Sequence, residues 1–350
     1  MSSLSPGSRV INGRYEVVRA LGQGAFGEVY EVYDHNLSLR GALKFLSNPS
    51  PVGHPWAESR LLMALDGPYV LHVQNADVAA GQQFIVTDLA EDGAIADKIV
   101  PNVGLPVEQA RLWARDIISG VQRVHQQGLL HCDIKPENVF LTSGGRAVVG
   151  DLGLAQAQDA NGFAIAAGSA PTMAPEVAAA SAGGPAQVYS SSSDIYSVGA
   201  TLYWMLAGRP VLPSVTKPSD IGGMAIPDLW DVAPHVPPPI RTAVMTAVAR
   251  DPADRFASIS EFDTAISGVA VPVRRWDRVS PHHGHNACFQ GVAKTSMIRL
   301  CVSSASRPGR LQISAVYASG RRIPALSKEV PTAQLPRAVR SAIRQSGRLR

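Results

Sequence analysis

His131-Cys132-Asp133-Ile134-Lys135-Pro136-Glu137-Asn138, followed thirteen residues after Asn138 by Asp151-Leu152-Gly153, decides the reading of this 350-residue chain. An HxD triplet alone is common in loops. The full HxDxKPEN run with DxG behind it places an aspartate, a lysine, an asparagine and a second aspartate at spacings suited to moving a phosphoryl group from Mg-ATP. Such a reaction asks little covalent chemistry of the protein, which must orient a hydroxyl, hold divalent cations and neutralise charge on the transferred group. Asp133 is the candidate to accept or orient the hydroxyl, and Lys135 to face the γ-phosphate. Asn138 and Asp151 are candidate magnesium ligands, since a hard cation prefers oxygen.

Working outward, Leu21-Gly22-Gln23-Gly24-Ala25-Phe26-Gly27-Glu28-Val29-Tyr30 fits GxGxxGxV. GxGxxG by itself is weak, because it also opens the helix of a dinucleotide fold. Here β-type residues flank it on both sides, Tyr15-Glu16-Val17-Val18 and Val29-Tyr30-Glu31-Val32-Tyr33, and no acidic strand end follows at dinucleotide spacing. The glycines therefore sit in a strand–turn–strand, a flap whose backbone can approach a triphosphate closely. Leu21, Gly22, Gly24, Gly27 and Val29 are its candidate nucleotide contacts. Gly41-Ala42-Leu43-Lys44 is a small apolar strand ending in a lysine that reads as the clamp on the α- and β-phosphates. Glu58 is the only acidic residue between Lys44 and Asp66, in a stretch of helical apolar spacing, and is the candidate partner of Lys44.

With these motifs in order, the chain resembles the protein kinase superfamily, in particular the eukaryotic-like serine/threonine kinases of bacteria, over about residues 13–268. Ala174-Pro175-Glu176 resembles the end of the activation segment. Ser193-Asp194-Ile195-Tyr196-Ser197-Val198-Gly199 resembles the start of the central buried helix. The resemblance implies that Asp194 anchors the catalytic-loop backbone and that Arg255 pairs with Glu176. It also implies that Thr87 is the gatekeeper, that Asp88 and Ala90 offer backbone groups to adenine, and that Val29 and Ala42 cover its faces. Lys135 resembles the serine/threonine rather than the tyrosine branch. The implied fold is α+β and bilobal, with a β-rich small lobe and a helical large lobe. The implied cofactors are ATP and Mg²⁺, with Mn²⁺ able to replace it, and the implied partners are proteins carrying Ser or Thr.

The chain departs from the pattern at Cys132, which stands where the family usually has an arginine. That arginine pairs with a phosphate on the activation loop and orders the segment. Residues 156–167 contain no hydroxyl side chain, and only Ser169 and Thr172 follow before the APE motif. Autophosphorylation, with activity that does not depend on phosphorylation of that loop, is the expectation. Leu152 for the usual phenylalanine and Leu43 before the strand lysine are conservative apolar changes. None of Lys44, Asp133, Asn138 and Asp151 is missing.

A composition of 45% hydrophobic and 17% charged residues supports a folded core rather than disorder. Three cysteines, Cys132, Cys288 and Cys301, form no disulfide framework and suit a reducing, cytoplasmic setting. The N-terminus lacks a charged, apolar signal, and no apolar run is long enough to span a bilayer. Charge divides the chain. Residues 1–270 hold 17 Lys and Arg against 26 Asp and Glu, a net −9, whereas residues 271–350 hold 15 against 2, a net +13. The organisation expected is an extension at 1–12, a catalytic domain at 13–270, and a basic α+β accessory domain of unrecognised family at 271–350. The basic part invites nucleic acid, an acidic protein surface or the acidic lobe itself as a partner. Two further function classes stay open: an ATP-binding signalling scaffold without turnover, and a nucleic-acid-binding module regulated by its kinase. Oligomeric state is not readable.

In that tail, residues 296–302 and 310–317 alternate as half-buried strands, and Leu335, Ala338, Val339, Ala342 and Ile343 share one helix face. The expectation is a two- or three-stranded sheet packed by a helix, with Trp276 and Phe289 in its core. His282, His283, His285 and Cys288 suit Zn²⁺ by ligand type. Their spacing matches no closed four-ligand pattern, and a second pair is missing unless Cys301 contributes, so they are not assigned as a site.

Overall fold

The computed structural model describes residues 4–24, 27–45, 65, 67–183, 187–221, 224–270 and 272–347. The small lobe is a six-stranded antiparallel sheet of β1 (Arg9–Val10), β2 (Tyr15–Gly24), β3 (Gly27–Asp34), β4 (Leu39–Phe45), β5 (Val73–Ala79) and β6 (Gln82–Asp88), in the order β1-β2-β3-β4-β6-β5. Period-two alternation sorts its side chains. Tyr15, Val17, Tyr30, Val32, Leu43, Phe84 and Val86 form a buried cluster, while Ala42 and Lys44, on either side of Leu43, face the interlobe cleft. The strand–turn–strand read around the glycines and the small apolar strand ending in Lys44 are present as β2, β3 and β4. The helically spaced stretch that carries Glu58 lies outside the described residues except for Leu65.

The large lobe is built on two helices. Apolar residues at helical spacing make α1 (Val107–Gln126), which buries Ala110, Trp113, Ala114, Ile117, Ile118, Val121 and Val124 and stops at Gly128 with φ 71°. Each such fully buried large aliphatic contributes about 1.5–3 kcal/mol. Between α1 and the next helices lie five short strands: β7 (Leu129–Leu130), β8 (Val139–Leu141), β9 (Ala147–Val149), β10 (Gln156–Ala157) and β11 (Ala164–Ile165). Then come α2 (Pro175–Ser181), β12 (Gln187–Tyr189) and α3 (Ser191–Ala207). Nearly every residue of α3 is buried, as expected of a helix apolar on all sides. Gly208, with φ 69°, caps it by donating its N–H to Trp204 O. The short α4 (Leu229–Val232), then α5 (Pro238–Ala247) and α6 (Ile259–Ser267), complete the lobe.

The accessory region differs from expectation. It is a five-stranded antiparallel meander, β13 (Arg275–Val279), β14 (Ala287–Val292), β15 (Met297–Ser304), β16 (Arg310–Tyr317) and β17 (Lys328–Pro331), covered by α7 (Leu335–Ser346). Only β15 and β16 carry enough alternating residues to be read from sequence. β13 contributes one buried side chain, Trp276, and β17 one, Val330. Both are strands because they pair with longer neighbours. Trp276 and Phe289 lie in the core, as expected, with Ile298, Leu300, Val302, Ile313 and Val339. Trp276 crosses over Gly291, its cross-strand partner, where a Cβ would meet the indole at 2.3 Å.

This region packs on the large lobe. The Val107 N–H at the start of α1 donates to Asp277 Oδ1 (2.8 Å), Arg278 donates to Val232 O (3.2 Å), and Arg340 donates to Trp230 O (3.3 Å). The Arg340 guanidinium lies 4.8 Å over the Trp230 ring. The His235 ring meets Phe289 at 5.7 Å between centroids.

Candidate active site

A cleft of ≈ 980 Å³ separates the lobes, and Leu21, Gly22, Val29, Ala42, Lys44, Asp88, Ala90, Lys135, Asn138 and Asp151 all line it. Thr87, opposite Ala42 in the β4–β6 ladder, lines it too. The Asp88 N–H is taken by His72 O (2.9 Å), and the Ala90 carbonyl accepts from Gly93 N–H (3.1 Å). The Asp88 carbonyl, which accepts from the Thr87 hydroxyl (3.2 Å) and keeps a second lone pair, and the Ala90 N–H are the backbone groups these bonds leave to the cleft. Gly24 and Gly27 pair at the end of the β2–β3 hairpin, which places both at the turn of the glycine flap.

The loop from His131 to Asn138 has almost no regular structure of its own and is held from below. Asp194, fully buried in the first turn of α3, accepts from the backbone N–H of His131 (2.9 Å) and of Cys132 (3.1 Å) and from Tyr189 Oη (2.8 Å). His125 Nε2 lies 2.8 Å from the same carboxylate and must be the donor, because an ionised carboxylate only accepts. Burial alone would push the Asp194 carboxyl up. The bond from His125, the fields of His125 and His131, and the His131 N–H together hold it below its ordinary value. Four donors on one anion explain how a loop can keep Cys132 at φ 67°, a conformation unusual for a residue with a Cβ. The Cys132 thiol is pushed up by burial and then by Asp194, so it stays protonated and unreactive.

Within the loop, Asp133 Oδ2 accepts from Lys135 Nζ (2.7 Å) and from Asn138 Nδ2 (2.8 Å), which also reaches the Asp133 carbonyl (2.9 Å). Asp133 Oδ1 is buried with no hydrogen-bond partner among the described residues. A buried carboxylate oxygen without a donor is costly, and it can accept from a group that enters the site. Lys135 Nζ also donates to Ser169 Oγ (2.6 Å), which ties the catalytic loop to the activation segment. That approach depends on Gly168, with φ 118°, where a Cβ would stand 2.6 Å from Cys132 O.

Across the cleft, Lys44 Nζ and Asp151 Oδ1 form an ion pair at 2.5 Å that joins β4 to the large lobe. Asp151 has φ 51° and ψ 60°, a left-handed turn that aspartate tolerates and that aims its side chain back into the cleft. The Asn138 amide gives its NH₂ to Asp133, so its Oδ1 is the atom left to face a cation. With the Asp151 carboxylate this makes an all-oxygen set, which fits a hard divalent metal. Of the sequence-selected site residues, Leu21, Gly22, Val29, Ala42, Lys44, Asp88, Ala90, Lys135, Asn138 and Asp151 line the cleft, Asp133 joins it through Lys135 and Asn138, Gly24 and Gly27 lie at the flap turn, and Glu58 lies outside the described residues. The pairing implied for Glu176 and Arg255 is present as a bidentate contact of 2.8 and 2.7 Å.

Two contributors were not singled out from sequence. His125, in the last turn of α1, has no motif around it. Gln156 holds the activation segment: its amide donates to Ile165 O and accepts from Ile165 N–H, both at 3.2 Å, and lies 3.9 Å from Cys132 Sγ. Gln158, Asp159 and Asn161 stand in the same segment, so no sequence signal set Gln156 apart.

Residues 15–261 match the protein kinase domain family. Similar curated proteins include serine/threonine-protein kinase AtPK2/AtPK19 of Arabidopsis thaliana, 28% identical over 202 residues, covering 56% of this chain and 42% of the relative. Serine/threonine-protein kinase pkn2 of Myxococcus xanthus is 30% identical over 220 residues, 59% of this chain and 26% of its own. Serine/threonine-protein kinase PknA of Mycobacterium tuberculosis is 27% identical over 333 residues, 90% of this chain and 74% of its own. The chain spans under half the length of the first two.

Proposed function

The chain belongs to the protein kinase family, whose members use ATP and a divalent metal, and from that premise we propose that it transfers the γ-phosphoryl group of Mg-ATP to serine or threonine hydroxyls of proteins. The observation that carries this reading is the buried Asp133 Oδ1, unpartnered beside Lys135, Asn138 and Ser169. A substrate hydroxyl donates its hydrogen bond to Oδ1 and is thereby aimed at the γ-phosphorus. The hydroxyl oxygen bonds to phosphorus as the bond to the β-phosphate oxygen breaks, and the hydroxyl proton passes to Asp133. Lys135 offsets charge on the transferred group, and Lys44 positions the α- and β-phosphates. Adenine sits between Val29 and Ala42, bonded by the Asp88 carbonyl and the Ala90 N–H. Asn138 and Asp151 would hold magnesium, which supplies charge neutralisation at the phosphates.

Protein contacts hold the activation segment. Thr172 is buried, Ser169 is engaged by Lys135, and Gln156 bridges the two sides of the loop. This supports turnover that does not await loop phosphorylation. We take residues 13–270 as the catalytic domain and 271–350 as an accessory domain. Of the partners open to its basic surface, the large lobe has the support of the Arg278 and Arg340 contacts. No helix among the described residues is long and apolar enough to cross a membrane, and a cytoplasmic site of action is part of the proposal. The test is transfer of labelled γ-phosphate by the full chain to itself and to a generic protein acceptor. Asp133→Ala is expected to lower the rate by about 10²–10⁴. Equal labelling by wild type and variant would overturn the assignment.

A further inference from the structure

In the accessory domain four N and S atoms converge on one point. The cluster consists of His282 and His285 in the β13–β14 loop, Cys288 in β14 and Cys301 in β15. Cys288 and Cys301 are direct cross-strand partners, so their side chains leave the sheet on the same face. Their Sγ atoms are 3.1 Å apart, and both are free thiols. The loop then brings in the imidazoles. His285 N–H donates to His282 O (3.0 Å), closing a turn with Gly284 at φ 81°, and Asn286 N–H rejoins the ladder on Val302 O (2.7 Å). A turn with left-handed backbone at its third residue suits glycine and puts both histidines on the side of the sulfurs.

The distances are those of a coordination shell. Cys288 Sγ lies 3.3 Å from His282 Nδ1 and 3.6 Å from His285 Nδ1, Cys301 Sγ lies 3.7 Å from His282 Nδ1, and the two Nδ1 atoms are 3.4 Å apart. All four atoms fall within 4.8 Å of one another. A tetrahedral zinc with ordinary Zn–S and Zn–N bonds requires edges of about 3.8 Å between sulfurs, about 3.5 Å from sulfur to nitrogen, and about 3.3 Å between nitrogens. Those three mixed edges and the nitrogen edge agree within a few tenths of an ångström, the fourth mixed edge, Cys301 to His285, stays within the 4.8 Å span, and the sulfur pair is the tightest edge. A disulfide between the cysteines would give no reason for two imidazole nitrogens to face the same sulfur. His283, the third histidine of the run, is exposed and outside the cluster.

The geometry points to a structural zinc site, His282–His285–Cys288–Cys301, that pins the β13–β14 loop to the centre of the accessory sheet. Two imidazoles and two thiolates fill all four positions, leaving none for substrate, which is the pattern of closed rather than catalytic zinc. Soft sulfur with imidazole also selects zinc over the hard cation of the interlobe cleft. Phe289, next to Cys288, carries the pinned sheet onto His235 of the large lobe.

The test uses the full chain. Metal analysis of protein purified without chelator is expected to find about one zinc per chain. After chelation, titration with Co²⁺ should give the visible bands of a tetrahedral ion and a sulfur-to-cobalt charge-transfer band, and chelation should lower the melting temperature. Cys301→Ser and His285→Ala should lose most of the metal, while His283→Ala should keep it. If the cysteine variant fails to fold, the wild-type cobalt spectrum decides on its own. The proposal falls if the wild type takes up no stoichiometric zinc or cobalt with its thiols reduced, if the cobalt spectrum lacks the sulfur band, or if His283→Ala removes the metal as fully as His285→Ala.

Discussion

The catalytic loop and the His/Cys cluster of the accessory sheet are built on opposite plans. In the first, one anion gathers donors: the Asp194 carboxylate collects two backbone N–H groups, a tyrosine hydroxyl and an imidazole. In the second, four electron-pair donors face one another, an arrangement that is stable when a cation sits among them. The first keeps its chemistry in eight consecutive residues and an aspartate thirteen further on. The second draws on a loop and two strands. A contiguous motif announces itself, while a site assembled by strand register does not.

The sharpest way to break the comparison is to remove the anion. Asp194→Ala leaves four buried donors without an acceptor, and removing one member of such a buried, charge-assisted set costs about 3–5 kcal/mol. Denaturant unfolding should show that loss, and phosphoryl transfer should fall with it because Asp133 no longer has a fixed backbone. If Asp194→Ala melts like wild type and retains transfer, the loop is held by something else.

The accessory domain can be perturbed without touching the cleft. Gly291→Ala drives a Cβ into the Trp276 indole and should destabilise by up to about 3 kcal/mol, the usual range for overpacking. Limited proteolysis should then cut the accessory sheet first. Equal protection of wild type and variant would show that Trp276 has room to move.

Between the two regions lies His235, buried against Phe289 with neither ring nitrogen hydrogen-bonded among the described residues. Burial, and then the charge of Arg278, push its pKa down to about 3. The unfolded chain binds a proton near pH 6.5 that the folded one refuses, so stability is full above that value and falls as pH drops toward the folded value. At pH 5 the loss is about 2 kcal/mol. His235→Leu should flatten the melting temperature between pH 7 and 5, and an unchanged slope would mean that the ring is not kept neutral.

The smallest effect is expected at Gln156. Its two bonds across the activation segment contribute about 1 kcal/mol each at most, so Gln156→Ala should slow transfer several-fold and leave the melting temperature nearly unchanged. A variant as inactive as Asp133→Ala would make Gln156 a member of the catalytic loop in all but sequence.

Much of this was legible from residues alone. The strand–turn–strand around the glycines and the strand that ends in Lys44 were read from β-type residues and appear as β2, β3 and β4. Lys44, Lys135, Asn138 and Asp151 line one cleft. β13 and β17 were not legible, because each buries a single large side chain and takes its strand form from a neighbour. Nor was the role of His125, whose importance comes from a partner sixty-nine residues away.

Sequence by itself determined which residues meet at the cleft: Asp133, Lys135, Asn138 and Asp151 are close in the chain, so local backbone geometry largely dictates their juxtaposition. Only the tertiary structure decided that Cys301 stands opposite Cys288, that a turn at Gly284 delivers His282 and His285 to them, and that Asp133 is left with one bare oxygen. Those facts depend on strand register and on burial, which are set by the packing of distant segments and leave no local pattern to read.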